Sequence, residues 1–103
     1  MTILEAVSIA GELLPEARLW IRKTAKNLDT EIQQTIAACL LDLKRVGIAK
    51  ISADDPLICQ AAKLYLKGQF GFSDDSEKYL AAYEHLRDAL SLSGEYTEVN
   101  ADG

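Results

Sequence analysis

The stretch Asp54-Asp55-Pro56-Leu57-Ile58-Cys59-Gln60-Ala61-Ala62-Lys63-Leu64-Tyr65-Leu66-Lys67-Gly68-Gln69-Phe70-Gly71 decides the fold. An acidic residue before a proline marks a helix start. The Asp55 carboxylate can accept from the free amides of the first turn, and Pro56 occupies a position whose amide needs no partner. Gly71, able to adopt the left-handed conformation, marks the end. Between the marks only Gln60, Lys63 and Lys67 form a polar stripe, at spacings of three and four. A helix of about sixteen residues, roughly 24 Å long, with so narrow a polar face must be covered on most sides. The pattern predicts a central helix, with Leu64 buried where its neighbours meet it.

Upstream, Ile32, Ile36, Cys39, Leu40, Leu43 and Val46 recur at helical spacing, which predicts a second long helix capped by Asp29 or Thr30 and stopped by Gly47. Residues 48–53 are too short and irregular for a convincing strand and read as a connector. At the N-terminus, Thr2-Ile3-Leu4-Glu5 fits a capping box, followed by Val7, Ala10 and Leu14 as far as Gly11 and Pro15. Pro15 suits the first turn of a further short helix, from 16 to about 23, which presents Leu19 and Trp20 beside Arg18 and Arg22. Residues 23–28 read as a loop.

Downstream, residues 72–76 read as a turn, and Asp74 with Glu77 as another capping box. A last helix then carries Tyr79, Leu80, Tyr83, Leu86, Ala89 and Leu90 inward and Lys78, Glu84, Arg87 and Asp88 outward, until Gly94 ends it. The expected fold is all-α: a small single-domain bundle of three longer helices plus one or two short N-terminal helices, over residues 1–94. Residues 95–103 form a flexible tail in this reading, because only Tyr96 and Val99 there can bury much surface.

At 103 residues, 49% hydrophobic and 26% charged, the chain has the make-up of one soluble domain. Its net charge of -5 argues against a surface built to grip nucleic-acid phosphates. Two cysteines without an N-terminal signal peptide suggest a reducing, intracellular setting, and no apolar run approaches the roughly 20 residues that span a bilayer.

Residues that could carry chemistry have simpler structural readings. His85 is the lone histidine, with no second one to complete a metal site or an acid–base pair. Cys39 and Cys59 each lie on an apolar stripe, far from any pairing motif, and read as buried thiols. The acidic pairs Asp54-Asp55 and Asp74-Asp75 stand at helix starts, where acids are favoured electrostatically. Gly68 and Gly71 neither follow a strand nor open a helix, so they read as a helix end and not as a phosphate loop. Tyr65, Phe70, Phe72, Tyr79 and Tyr83 pack a helical hairpin in this reading, since too few basic residues interleave them for a base-stacking platform. No catalytic, cofactor-binding or metal-ligating residue is therefore expected. Trp20 with its neighbours Arg18 and Arg22, and Tyr96, Glu98 and Val99 in the tail, are the candidates for a protein interface.

One resemblance runs through these residues. Asp54-Asp55-Pro56-Leu57-Ile58 with Ala61 and Tyr65, residues 67–72, Tyr83-Glu84-His85-Leu86 and the run Leu90-Ser91-Leu92-Ser93-Gly94-Glu95-Tyr96 resemble the head-tail connector proteins of tailed bacteriophages. Leu19 to Arg22, Asp29-Thr30-Glu31-Ile32 and residues 37–48, with Asp42-Leu43 and Val46-Gly47-Ile48, are similar to the family's first two helices. Gly68 departs from the usual alanine, the turn at 73–76 lacks a proline often seen there, and residues 1–14 match least. The resemblance implies an all-helical structural protein of the virion, at the head–tail interface and made in the host cytoplasm. It would form a ring, twelvefold in the family, beneath the portal protein, extend the DNA channel and dock the tail or a stopper protein. DNA would be a non-specific passenger, and no membrane would be involved. The alternative from the residues alone is a cytosolic helical adaptor, or an antitoxin-like regulator, that binds one protein partner through the Trp20 region.

Overall fold

A computed structural model describes residues 1–21, 28–70 and 75–97. The first helix, α1 (Ile3–Trp20), opens with the expected capping box. The Thr2 hydroxyl accepts from the Glu5 amide at 3.1 Å, and the Glu5 carboxylate accepts from the Thr2 amide at 2.7 Å. The helix does not break at Gly11 or Pro15, so one 18-residue helix stands where two short ones were expected. A proline inside a helix costs about 3 kcal/mol. Burial offsets that cost here: Ala6, Ala10, Leu13 and Ala17 form one continuous buried stripe, and a break would pull its second half off the core. Pro15 itself is exposed, on the opposite side of the helix. Gly11 admits the neighbouring helix closely, since a Cβ there would lie 3.0 Å from Gln33 Nε2, which donates to the Val7 carbonyl at 2.9 Å.

That neighbour, α2 (Asp29–Arg45), buries Ile32, Ile36, Ala37, Cys39, Leu40 and Leu43, the predicted stripe. Neither Asp29 nor Thr30 caps it. Leu28 is the N-cap residue, and Asp29 stands in the first turn, where its charge suits the helix dipole. Gly47 ends the segment at φ 101°, a conformation that favours glycine. The connector at 48–53 contains no strand and anchors itself by burying Ile48.

The third helix, α3 (Pro56–Gln69), is capped as the sequence implies, with Asp55 Oδ1 accepting from the Leu57 and Ile58 amides at 2.9 and 3.4 Å. It packs against α1, α2 and the fourth helix, α4 (Ser76–Ser91). The central position is nonetheless shared with α2, whose buried face is equally long. Leu64 is only half-buried, because it lies one turn from both Gln60 and Lys67 and so shares the polar side; Leu66 is fully buried in its place. Gly68 does not end the helix. It is buried inside it, and a Cβ there would come within 2.5 Å of Leu80 Cγ, so its bareness sets how closely α3 and α4 approach. Gly71, Phe72 and Asp74 lie outside the described residues.

Of the predicted inner face of α4, Tyr83 and Leu90 are buried, Tyr79, Leu80 and Leu86 are half-buried and Ala89 is exposed. The helix ends at Ser91, and Gly94 opens a further short helix instead of closing this one: α5 (Gly94–Thr97). The tail therefore begins later than expected, since Tyr96 belongs to the core. The architecture is all-helical among the described residues, with four helices of 14 to 18 residues and a single turn at the C-terminal side. The short element lies at the opposite end of the chain from the one expected. A radius of gyration of 13.4 Å matches the roughly 13 Å of a compact chain this long.

Candidate functional site

Three polar clusters tie the helices together. The largest forms where α2, α3 and α4 meet, around Asp42. Tyr83 reaches in from α4 and donates its hydroxyl to Asp42 Oδ2 at 2.7 Å. Arg87, one turn along α4, donates from Nη1 to the same oxygen at 3.0 Å, and Arg45 donates from Nη2 to Oδ1 at 2.8 Å. Burial pushes the Asp42 carboxyl up, but the hydrogen bonds from Tyr83, Arg45 and Arg87 outweigh it and hold the group below its ordinary value. The Tyr65 and Tyr83 rings meet edge to face, 5.0 Å between centroids. Beside the cluster lies an open depression of about 470 Å³, floored by Tyr65, Gln69 and Leu80.

Two buried groups stand beside Asp42. Burial raises the Tyr83 hydroxyl, with Cys39 and Asp42 adding to the effect. The Cys39 thiol is pushed up to about 12, chiefly by burial, so it stays protonated at neutral pH. Asp42 is thus a charged acceptor with donors from two helices, an arrangement that fastens α4 to α2.

The second cluster anchors α5. Tyr96 donates its hydroxyl to Asp55, 3.0 and 2.9 Å from the two carboxylate oxygens, so one aspartate both caps α3 and receives the tyrosine. The Tyr96 carbonyl accepts from the Ala49 and Lys50 amides at 2.7 and 3.1 Å, and Lys50 Nζ pairs with Glu95 at 3.0 Å. Burial and the bond to Asp55 raise the Tyr96 hydroxyl. The third cluster is Arg18 on α1, which grips both oxygens of Asp29, with Nε 2.8 Å from Oδ1. Among the described residues, every buried side-chain polar atom has a hydrogen-bond partner.

Of the six predicted interface residues, Arg18 and Tyr96 are engaged within the chain, and Trp20 packs half-buried against the core on the last turn of α1. Arg22, Glu98 and Val99 lie outside the described residues. His85 is exposed on α4, and Cys59 is half-buried, its thiol donating to the Ala53 carbonyl at 3.1 Å. Of the expected aromatic cluster, the Tyr65 and Tyr83 rings meet between α3 and α4, Lys67 Nζ lies 5.3 Å from the Tyr79 ring centroid, and Phe72 lies outside the described residues. Among the described residues, no group of three or more His, Cys, Asp or Glu is placed to hold a metal ion, and no helix is long and apolar enough to cross a membrane.

Sequence reading missed the Asp42 cluster. Its signal was present: an acid flanked by Leu41 and Leu43, beside a buried stripe, with an arginine three residues on, needs a partner from another helix. Several residues that carry the resemblance, namely Asp42, Asp55, Tyr83 and Tyr96, turn out to be the ones that lock helices to each other.

Charged and tyrosine side chains committed to fastening helices are the make-up of a small all-helical structural protein. Residues 16–97 match the family described as phage connector protein, and the chain belongs to that family. It is a bacteriophage head-tail connector, in a family of structural proteins. No curated protein and no solved structure matches the chain.

Proposed function

We propose that copies of this protein form a ring under the portal of a DNA-filled head, extend the DNA channel and present the surface on which the tail or a stopper protein docks. The observation that carries the reading is the family match across residues 16–97, which takes in α2 to α5 and the end of α1. Two physical features support it. A net charge of -5 suits a channel wall along which DNA slides, where a basic wall would hold it. The clusters at Asp42 and Asp55 make the protomer self-contained, as a part that is delivered to the vertex already folded must be. In this reading the portal protein, the tail or stopper protein and further copies of the chain are the partners. Trp20, Arg22, Glu98 and Val99 are the residues that would contact the portal or the tail.

The test is to mix the purified protein with portal-bearing, DNA-filled heads and image the vertex by electron cryomicroscopy. A ring of protein density with the portal's symmetry is the expected result. A vertex left bare, with one or two copies of the protein bound to some other single partner, would replace this reading with that of an adaptor.

A further inference from the structure

Past its first turn, the outer face of α1 carries one sign of charge. Glu12 and Glu16 are exposed there, as Glu5 is in the first turn, with Leu4 and Leu19, which are 81% and 73% exposed, and no base shares the face. Apart from the capping contact of Glu5 with Thr2, none of these acids is ion-paired among the described residues. Two large apolar residues left in water on one helix face, interleaved with unpaired acids, form a surface of mixed apolar and anionic character.

The outer face of α3 carries the opposite charge. Gln60, Lys63 and Lys67 follow one another at three and four, with half-buried Leu64 among them and no acid within the helix. Among the described residues Lys63 has no ion pair, and Lys67 overlies the Tyr79 ring. From Lys63 to Lys67 is about 6 Å along the axis, as is Glu12 to Glu16, at 1.5 Å per residue. The two faces therefore match in spacing, are opposite in sign, and both have leucines beside the charges.

We infer that the outer face of α1 of one copy docks antiparallel on the outer face of α3 of the next, with Glu16 opposite Lys63, Glu12 opposite Lys67 and Leu19 toward Leu64. The contact joins two different surfaces, so it propagates from copy to copy and closes into a ring when the rotation permits. It also answers a difficulty raised by charge. Protomers at -5 repel one another, and a seam of unlike charges lets them sit side by side and fixes their register.

This inference rests on the ring reading only in assuming that copies associate, and reciprocal charge exchange tests it. One variant carries Glu12→Lys with Glu16→Lys, the other Lys63→Glu with Lys67→Glu; all four sites are on the surface, and circular dichroism checks that both variants fold. Sedimentation at high protein concentration should show each variant alone associating at least tenfold more weakly than the wild type. An equimolar mixture should recover association, because each variant then meets the complementary face of the other. Zero-length carboxyl–amine cross-linking of a mixture of isotope-labelled and unlabelled wild type should join a peptide containing Glu12 or Glu16 of one copy to one containing Lys63 or Lys67 of another. Variants that associate like the wild type, a mixture that does not recover, or a wild type monomeric at every concentration overturns the proposed seam. Rings that still form on heads with either variant would overturn the seam and leave the connector reading standing, whereas no ring from the wild type would remove the reading itself.

Discussion

Removing the Asp42 carboxylate should unfasten α4 from α2. In Asp42→Ala the Tyr83 hydroxyl, on a residue only 2% exposed, loses the acceptor it holds at 2.7 Å, and a buried hydroxyl without a partner costs about 1–3 kcal/mol. Arg87, with a side chain 20% exposed, loses a further contact, while the more exposed Arg45 loses a surface pair worth less than about 1 kcal/mol. The total is about 2–4 kcal/mol, a large share of the 5–15 kcal/mol typical of a whole domain, and lowers Tm by about 10–25 °C. Tyr83→Phe keeps the ring against Tyr65 and leaves Asp42 with both arginines, so it should cost only about 1 kcal/mol.

The cycle of the two single variants and the double variant isolates the bond. The double variant should lose about 1 kcal/mol less than the sum of the singles, since the hydroxyl stranded by Asp42→Ala is then absent. The pH dependence gives a second readout. Because the folded carboxyl titrates below its ordinary value of 3.8, its stabilisation is present in full above that value and is lost as pH falls through the lower folded one. Urea unfolding followed at 222 nm should therefore show the full gap between wild type and Asp42→Ala from about pH 5 to 7 and a closing gap below about pH 3. Additive single variants, or a gap unchanged on acidification, would refute the assignment of Asp42 as the charged hub.

Three further outcomes follow from the packing. Leu66→Ala, at a fully buried site, should cost about 2–5 kcal/mol, while Leu64→Ala, half-exposed on the other side of the same helix, should cost less than half as much; equal losses would mean that α3 is rotated from the orientation described. Ending the chain after Gly94, or Tyr96→Ala, should cost about 3 kcal/mol in thermal unfolding, because the ring leaves the core and Asp55 loses its donor, whereas an unchanged Tm would show that α5 does not anchor the fold. A thiol reagent at pH 8 should modify Cys39 only at the rate of global unfolding, given a thiol pushed up to about 12, and rapid labelling of Cys39 in the native protein would contradict its burial between α2 and α3.

How far the sequence foretold this fold depended on whether the deciding physics was local. The cap at Asp55, the capping box at Thr2, the stop at Gly47 and the stripe from Ile32 to Leu43 each rest on residues a few positions apart, and all appear as read. Pro15 was misread because its local cost is plain in sequence and the compensating burial of Leu13 and Ala17 against α2 is not. Leu64 was misread because helical spacing says which residues share a side but not how far a neighbour's cover extends. Tyr96 was misread because its acidic, polar surroundings suggest a loose tail, while its partners, Asp55 and the Ala49 and Lys50 amides, lie more than forty residues away. The Asp42 cluster failed for the same reason: Arg45 is close in sequence, but Tyr83 and Arg87 come from another helix.

The same contacts bear on how a ring would be built. A protomer whose tyrosines and aspartates already satisfy one another has little buried energy in reserve for its neighbours, so assembly must draw on exposed faces such as that of α1, where Leu4 and Leu19 remain in water. A seam made by one helix face on another is expected to fall short of the roughly 1,200–2,000 Å² of a standard stable interface, so each seam alone would be weak. In the ring reading, weak seams suit a part that stays free until a filled head offers a template: once one copy is held on the portal, the next would bind seam and portal together at high effective concentration, and contacts that associate in solution only at high protein concentration would close the ring at the vertex.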